Sequence, residues 1–252
     1  MVRDASCCIK SGRAGRKVGL SSRFLQSFLL LWIALVFAVP FGWTQQDPLQ
    51  QVLNQMDQTA ANFRTTQAAF VWDQYQKVVD EHDIQKGTVY FRRAGNEIQM
   101  AADITNPESP KYVLFTDSKV EVYQPKIDQV TRYNTGKDRA TVESFLVLGF
   151  GGSGKDMLKS FGVKYLGAEK VDGVETAKLE LVPKSAKGRN TFDHIWLWVD
   201  TSRGVSVQQQ LFEPSGDYRL AKYSDIQLNQ KIPDSVFKLK TTGKTKVVSP
   251  QG

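Results

Sequence analysis

Residues 87–104 read GTVYFRRAGNEIQMAADI. Val89 and Phe91 alternate with Thr88, Tyr90 and Arg92, while Ile98, Met100 and Ile104 alternate with Glu97, Gln99 and Asp103. A period of two places one set on each face of a strand. Between the runs, RAGN supplies the glycine and asparagine that a tight turn needs. The stretch therefore predicts a β-hairpin with one apolar face.

The same pattern continues outward in both directions. TTQAAFVWDQYQKVV precedes it, and YVLFT, VEVYQP and QVTRYN follow. A second series reads VKYLGAEKV, ETAKLELVP, HIWLWVD, GVSVQQQLFEP and YRLAKYSDIQLN. All are rich in β-branched and aromatic residues, and turn signals separate them: HDIQKG, NPESP, TDSK, PKIDQ, Asp172-Gly173 and Ser215-Gly216. Repeated hairpins at this spacing predict one large antiparallel sheet, curled into a sandwich or barrel. Ahead of it, Leu49, Val52, Leu53, Met56, Ala60 and Phe63 recur every three or four residues, an amphipathic helix with Asp47 as cap and Pro48 in its first turn. The last residues, 243–252, read as a loose end.

Between the two strand series lies KDRATVESFLVLGFGGSGKDMLKSFG, residues 137–162, which predicts two short helices joined by a glycine run. Gly149, Gly154 and Lys155 have the G-x-x-x-x-G-K spacing of a phosphate-binding loop. That chemistry needs a hydroxyl after the lysine to hold Mg²⁺, and here the position is Asp156. It also needs a parallel strand before the loop, not a run of hairpins. A hinge is the better reading, with apolar flanks that cover something greasy.

Composition narrows the partners. Of 33 basic and 26 acidic residues, six basic (Arg3, Lys10, Arg13, Arg16, Lys17 and Arg23) and one acidic (Asp4) precede residue 47, so the remainder carries only +2. That balance argues against nucleic acid. The basic start runs into FLLLWIALVFAVPFGW, residues 28–43, the pattern of an export signal, with a retained membrane anchor as the alternative. Residues 1–46 are thus expected as leader, 47–247 as the exported domain and 248–252 as tail. Cys7 and Cys8 precede the apolar run, so the exported part must be stable without disulfides.

Two histidines, His82 in a turn signal and His194 in a strand, are too few for a histidine-based metal or nucleophile site. No G-x-S-x-G elbow is present. The reading is therefore non-enzymatic, with no cofactor, metal or nucleotide, and a monomer is expected. What remains is the apolar sheet face, which is either a filled core or, where a curved sheet is closed by a lid, a ligand cavity. Its candidate lining is Val89, Phe91, Ile98, Met100, Val113, Phe115, Leu179, Leu181 and Leu197, under a lid carrying Phe145, Leu146, Leu148 and Phe150. Trp196 and Trp198 fall beside His194 on the second face.

ANFRTTQAAFVWDQ, GTVYFRRAGNEIQM, SKVEVYQPKIDQVTRY and the closing IWLWVDTSRGVSVQQQLFEPSGDYRLAKYSDIQLNQKIPDSVFKLK, in this order, resemble the periplasmic lipoprotein carriers, the LolA-like proteins. The resemblance spans about residues 47–247. It implies an α+β fold, a strongly curved antiparallel sheet forming an incomplete β-barrel covered by helices around an apolar cavity. It also implies a role: taking acylated lipoproteins or lipids from an ABC-type inner-membrane exporter and releasing them to an outer-membrane acceptor, without hydrolysing anything. The family's proline and lid-holding arginine after YFRR correspond to Ala94 and Gln99 here. Related barrels serve as glycolipid carriers or lipoprotein-sensing regulators, which is the alternative role.

Overall fold

The computed structural model describes residues 47–95, 97–106, 109–116, 119–136, 145 and 148–250. Helix α1 spans Pro48–Asn62. The Asp47 carboxylate accepts a hydrogen bond from the Leu49 amide at 3.1 Å, and proline occupies the first turn, where its missing N–H costs nothing. Six strands follow: β1 Thr65–Gln76, β2 Glu81–Ala94, β3 Glu97–Ile104, β4 Lys111–Thr116, β5 Lys119–Gln124 and β6 Gln129–Asn134. Then come α2 Gly154–Ser160, β7 Phe161–Val171, β8 Val174–Pro183, α3 Ala186–Thr191, β9 His194–Asp200, β10 Ser206–Phe212, β11 Tyr218–Leu228 and the short β12 Lys246–Val248.

All twelve strands join one open, curved sheet in the order β12-β6-β5-β4-β3-β2-β1-β11-β10-β9-β8-β7. The two hairpin series meet where β1 pairs antiparallel with β11. Every strand expected from the alternation is present, and the fold class holds. Two local expectations do not. HDIQKG is no turn: β2 begins at Glu81, His82 lies opposite Tyr75, and the chain reverses earlier, through Asp80 at φ 53°. The pairing continues because the β1 residues opposite this segment, Phe70 to Tyr75, include good strand formers in Phe70, Val71, Trp72 and Tyr75. Nor is the end loose as far as Val248. Residues 246–248 pair in parallel with β6, because Asp128 collects the Thr242 and Thr245 hydroxyls at 2.8 and 2.6 Å. The Thr245 and Thr242 hydrogen bonds hold the Asp128 carboxyl below the usual range.

The concave face has two differently covered halves. Over β7–β9, Val52, Leu53 and Met56 of α1 and Met157 of α2 pack onto Leu179, Leu181, Ile195, Leu197 and Val199. These residues are buried almost completely, a solid core worth roughly 1.5–3 kcal/mol per large side chain. Over β1–β3 and β10–β11 the described cover is Phe63, Phe145 and the turn at 148–151. No described helix is long and apolar enough to cross a membrane.

Candidate functional site

In the second half of the concave face lies a cavity of about 220 Å³. Its described walls come from β1 (Phe70, Trp72), β2 (Val89, Phe91), β3 (Met100, Ala102), β10 (Gln209, Leu211) and β11 (Arg219, Ala221, Tyr223), together with Phe145 and Phe192. Strand alternation builds this wall: Tyr223 stands opposite Phe70, Ala221 opposite Trp72 and Gln209 opposite Ala221, all on one face.

The expected lining residues separate into three groups. Val89, Phe91 and Met100 line the cavity. Ile98 and Val113 pack against the same cluster. Phe115 is buried, and Leu179, Leu181 and Leu197 sit in the solid core under α1, outside the cavity lining. Of the lid residues, Phe145 lines the cavity, with its ring edge-on to Phe161 and Phe192 at 5.5 and 5.0 Å. Leu148 joins the solid core, and Leu146 lies outside the described residues. Phe150 is 1% exposed, stacked on Phe91 at 5.2 Å and edge-on to Tyr223 at 4.9 Å, so it plugs the cluster that forms the cavity wall.

The glycines around Phe150 are explained by packing rather than by mobility. Gly149 and Gly151 have φ of 89° and 81°, where side-chain-bearing residues are strained. A Cβ on Gly149 would stand 2.0 Å from the Ser206 Cβ, and one on Gly151 would stand 2.6 Å from the Phe63 ring. The Ser206 amide donates to the Gly149 carbonyl at 3.0 Å, so the turn is sewn onto β10. Lys155 aims at Asp57, its amide donating at 3.1 Å, and Ser153 caps α2 by accepting from the Asp156 amide. The phosphate-loop spacing thus marks a tight turn onto a short helix. Hydrogen bonds from Lys159 and Ser153 lower the Asp156 pKa.

Arg93 Nη2 donates to the Gly151 carbonyl at 3.0 Å, and its guanidinium lies 5.8 Å from the Phe63 ring centroid. Gln99 is engaged elsewhere: its Oε1 accepts from Arg92 Nε and Nη2 at 3.1 and 2.6 Å, and it is not part of the cavity lining. On the second face Lys178 Nζ sits 4.1 and 4.6 Å from the Trp196 and Trp198 rings, and His194 stacks on Phe212 at 4.3 Å.

The family model that matches is that of the outer membrane lipoprotein carrier protein LolA, over residues 61–240. The chain belongs to the LolA family. Proteins of the LolA family are binding or carrier proteins of the bacterial envelope. No curated protein matches the sequence. Among solved structures, an uncharacterized conserved protein from Thermus thermophilus is 11% identical with a TM-score of 0.51, over 81% of this chain and 100% of its own. A LolA superfamily protein from Nitrosomonas europaea is 16% identical with a TM-score of 0.39, over 76% and 97%. Lipoprotein LppX of Mycobacterium tuberculosis is 12% identical with a TM-score of 0.41, over 74% and 98%. At these identities the likeness concerns fold alone.

Phe70, Trp72, Leu211 and Tyr223 were not among the expected lining residues, although each lies on a strand the sequence predicts. The alternation placed them on a face, but the β1–β11 pairing that brings them together is set by residues about 150 positions apart.

Proposed function

We propose that the protein is a non-enzymatic periplasmic carrier that shelters acyl chains of lipoproteins on its concave face and moves them from the inner to the outer membrane. The observation that carries this reading is the apolar cavity, two of whose wall residues pack against Phe150 on a turn, beside a half of the same face that is packed solid. A cavity of 150 Å³ takes up a benzene-sized molecule, so about 220 Å³ accepts only a short length of chain as it stands. Loading requires Phe150 and Phe145 to leave. Each acyl CH₂ then buried contributes about 0.8 kcal/mol, and return of the rings opposes retention, which favours release to an acceptor. The N-terminal basic and apolar segment delivers the domain to the periplasm in this reading.

Native mass spectrometry of protein purified gently from its own periplasm tests this directly. An acylated lipoprotein in the complex supports the carrier. A lipid or glycolipid without protein points to a lipid-binding member of the same fold. A bare protein whose melting temperature ignores added triacylated peptide sinks both.

A further inference from the structure

One end of the sheet carries exposed apolar side chains on a fixed support. The β1–β2 hairpin turns at residues 77–80, and its tip presents Val78 at 92% exposure and Val79 at 54%. The tip is held in place: the Lys77 amide donates to Asp217 Oδ1 at 2.9 Å, and the Tyr75 hydroxyl donates to Asp80 Oδ1 at 2.9 Å. Behind the tip a row of rings crosses β2, β1, β11, β10 and β9. His82, Tyr75, Tyr218, Phe212 and His194 stand opposite one another in turn, with successive ring centroids 4.9, 5.0, 6.3 and 4.3 Å apart. These rings do not line the cavity, because Tyr75 lies on the opposite side of β1 from Phe70 and Trp72.

Exposed apolar side chains grouped at one place mark a contact surface. Tyrosine rings, with an apolar body and a polar end, suit a membrane–water interface. Val78 is three residues beyond Tyr75, at most about 10 Å of strand. The headgroup layer on each side of a bilayer is roughly 5–8 Å thick. With the rings at headgroup level, the valines therefore reach the acyl layer. The charges select the kind of surface. Residues 77–83 hold Lys77 against Asp80, Glu81 and Asp83, and an anionic leaflet, which attracts basic segments, repels an acidic one. We infer that the β1–β2 tip and the ring row dock on a zwitterionic lipid surface, with Val78 and Val79 entering it. Trp72, 37% exposed in the cavity wall, lies on the same strand as Tyr75, so docking brings the exposed part of that wall toward the lipid. The inference stands on the tip and the rings and does not depend on the carrier reading.

Hydrogen exchange of the full chain with and without vesicles tests this. It reads the tip separately from the apolar run at residues 28–43, which is long enough to engage a bilayer by itself. With saturating phosphatidylcholine vesicles, exchange at the amides of residues 77–80 slows about tenfold, the factor that burial of one valine supplies. An equal mixture with phosphatidylglycerol slows it less. Val78→Ser removes most of the slowing and leaves urea unfolding unchanged, since the side chain is almost wholly exposed. Slowing that survives when Val78 and Val79 are both changed to serine puts the contact elsewhere and overturns the inference. Absence of slowing on phosphatidylcholine overturns it as well and leaves the tip to a protein partner. Equal or greater slowing on the anionic mixture overturns the zwitterionic surface. All three adverse results leave the acyl cavity and the carrier reading untouched.

Discussion

Replacing Phe150 by alanine separates a plug from an ordinary core residue. The ring is 1% exposed and wedged between Phe91 and Tyr223. Truncating a buried phenylalanine costs about 3–5 kcal/mol, which in a domain of this size lowers the melting temperature by about 6–20 °C. A core residue would lose this stability and do nothing else. A plug that must leave before an acyl chain enters also closes a thermodynamic cycle. In the unsubstituted protein, binding forfeits the packing of the ring, whereas in Phe150→Ala that packing is already gone. The bound states then differ little, so the loss in the free protein reappears as affinity. A loss of about 3 kcal/mol corresponds to roughly 100-fold tighter binding, reduced by whatever collapse fills the gap. The assay pairs denaturant unfolding of the free protein with titration of a lauroyl ligand. Lower stability with unchanged or weaker affinity would refute the reasoning, because the ring would then remain seated when ligand is bound.

Gly149→Ala combines a forbidden approach to Ser206 with a positive φ, and is expected to cost about 2–5 kcal/mol by chemical denaturation. Arg93→Met removes the hydrogen bond to Gly151 from an exposed side chain. Global stability should change by no more than about 1 kcal/mol, yet hydrogen exchange should quicken at the amides of residues 148–151. Asp200 is 3% exposed. Burial pushes its carboxyl up, but hydrogen bonds from Ser202 and Arg203 outweigh this and lower its pKa. Its contribution is complete above the unfolded value of about 3.9 and fades as pH falls through the lower folded value. Asp200→Asn should therefore be destabilised at pH 7 by about 1–3 kcal/mol, and unfolding curves repeated toward pH 3 should show the difference shrinking. Ala221→Leu adds bulk to the cavity wall. The variant should unfold at equal or higher denaturant concentration while binding a lauroyl ligand at least tenfold more weakly, the change expected from losing about two buried methylenes.

The sheet was legible because its strands alternate almost without interruption and their turns carry glycine, asparagine or proline. HDIQKG misled because Gly87 and the charged residues around it match a turn, yet the pairing partner of that segment lies in β1 and outweighs local signals. The site was legible only in part. Val89, Phe91 and Met100 follow from alternation in one hairpin, and they do line the cavity. Leu179, Leu181 and Leu197 obey the same alternation, but α1 covers them, and which strands a helix covers is not written in any local period. Gln209 and Arg219 gave no signal at all. In sequence they are polar residues in strands, and only the sheet shows that their side chains share the apolar side.

This half of the concave face is lined by apolar side chains around about 220 Å³ of space and is not packed solid. Filling the space needs no new fold, since Ala102 and Ala221 stand in its wall where larger residues would fit the same strands. The neighbouring half of the same face shows the alternative carried out, with three α1 side chains closing over five buried aliphatic residues. Among the described residues, α1 covers the filled part of the face, while Phe145, Phe192 and the 148–151 turn flank the hollow part. A helix cannot withdraw a single side chain without moving a whole amphipathic surface. The 148–151 turn, fastened by Ser206 on one side and Arg93 on the other, can give up Phe150 by breaking a few contacts while α1 and its core stay in place.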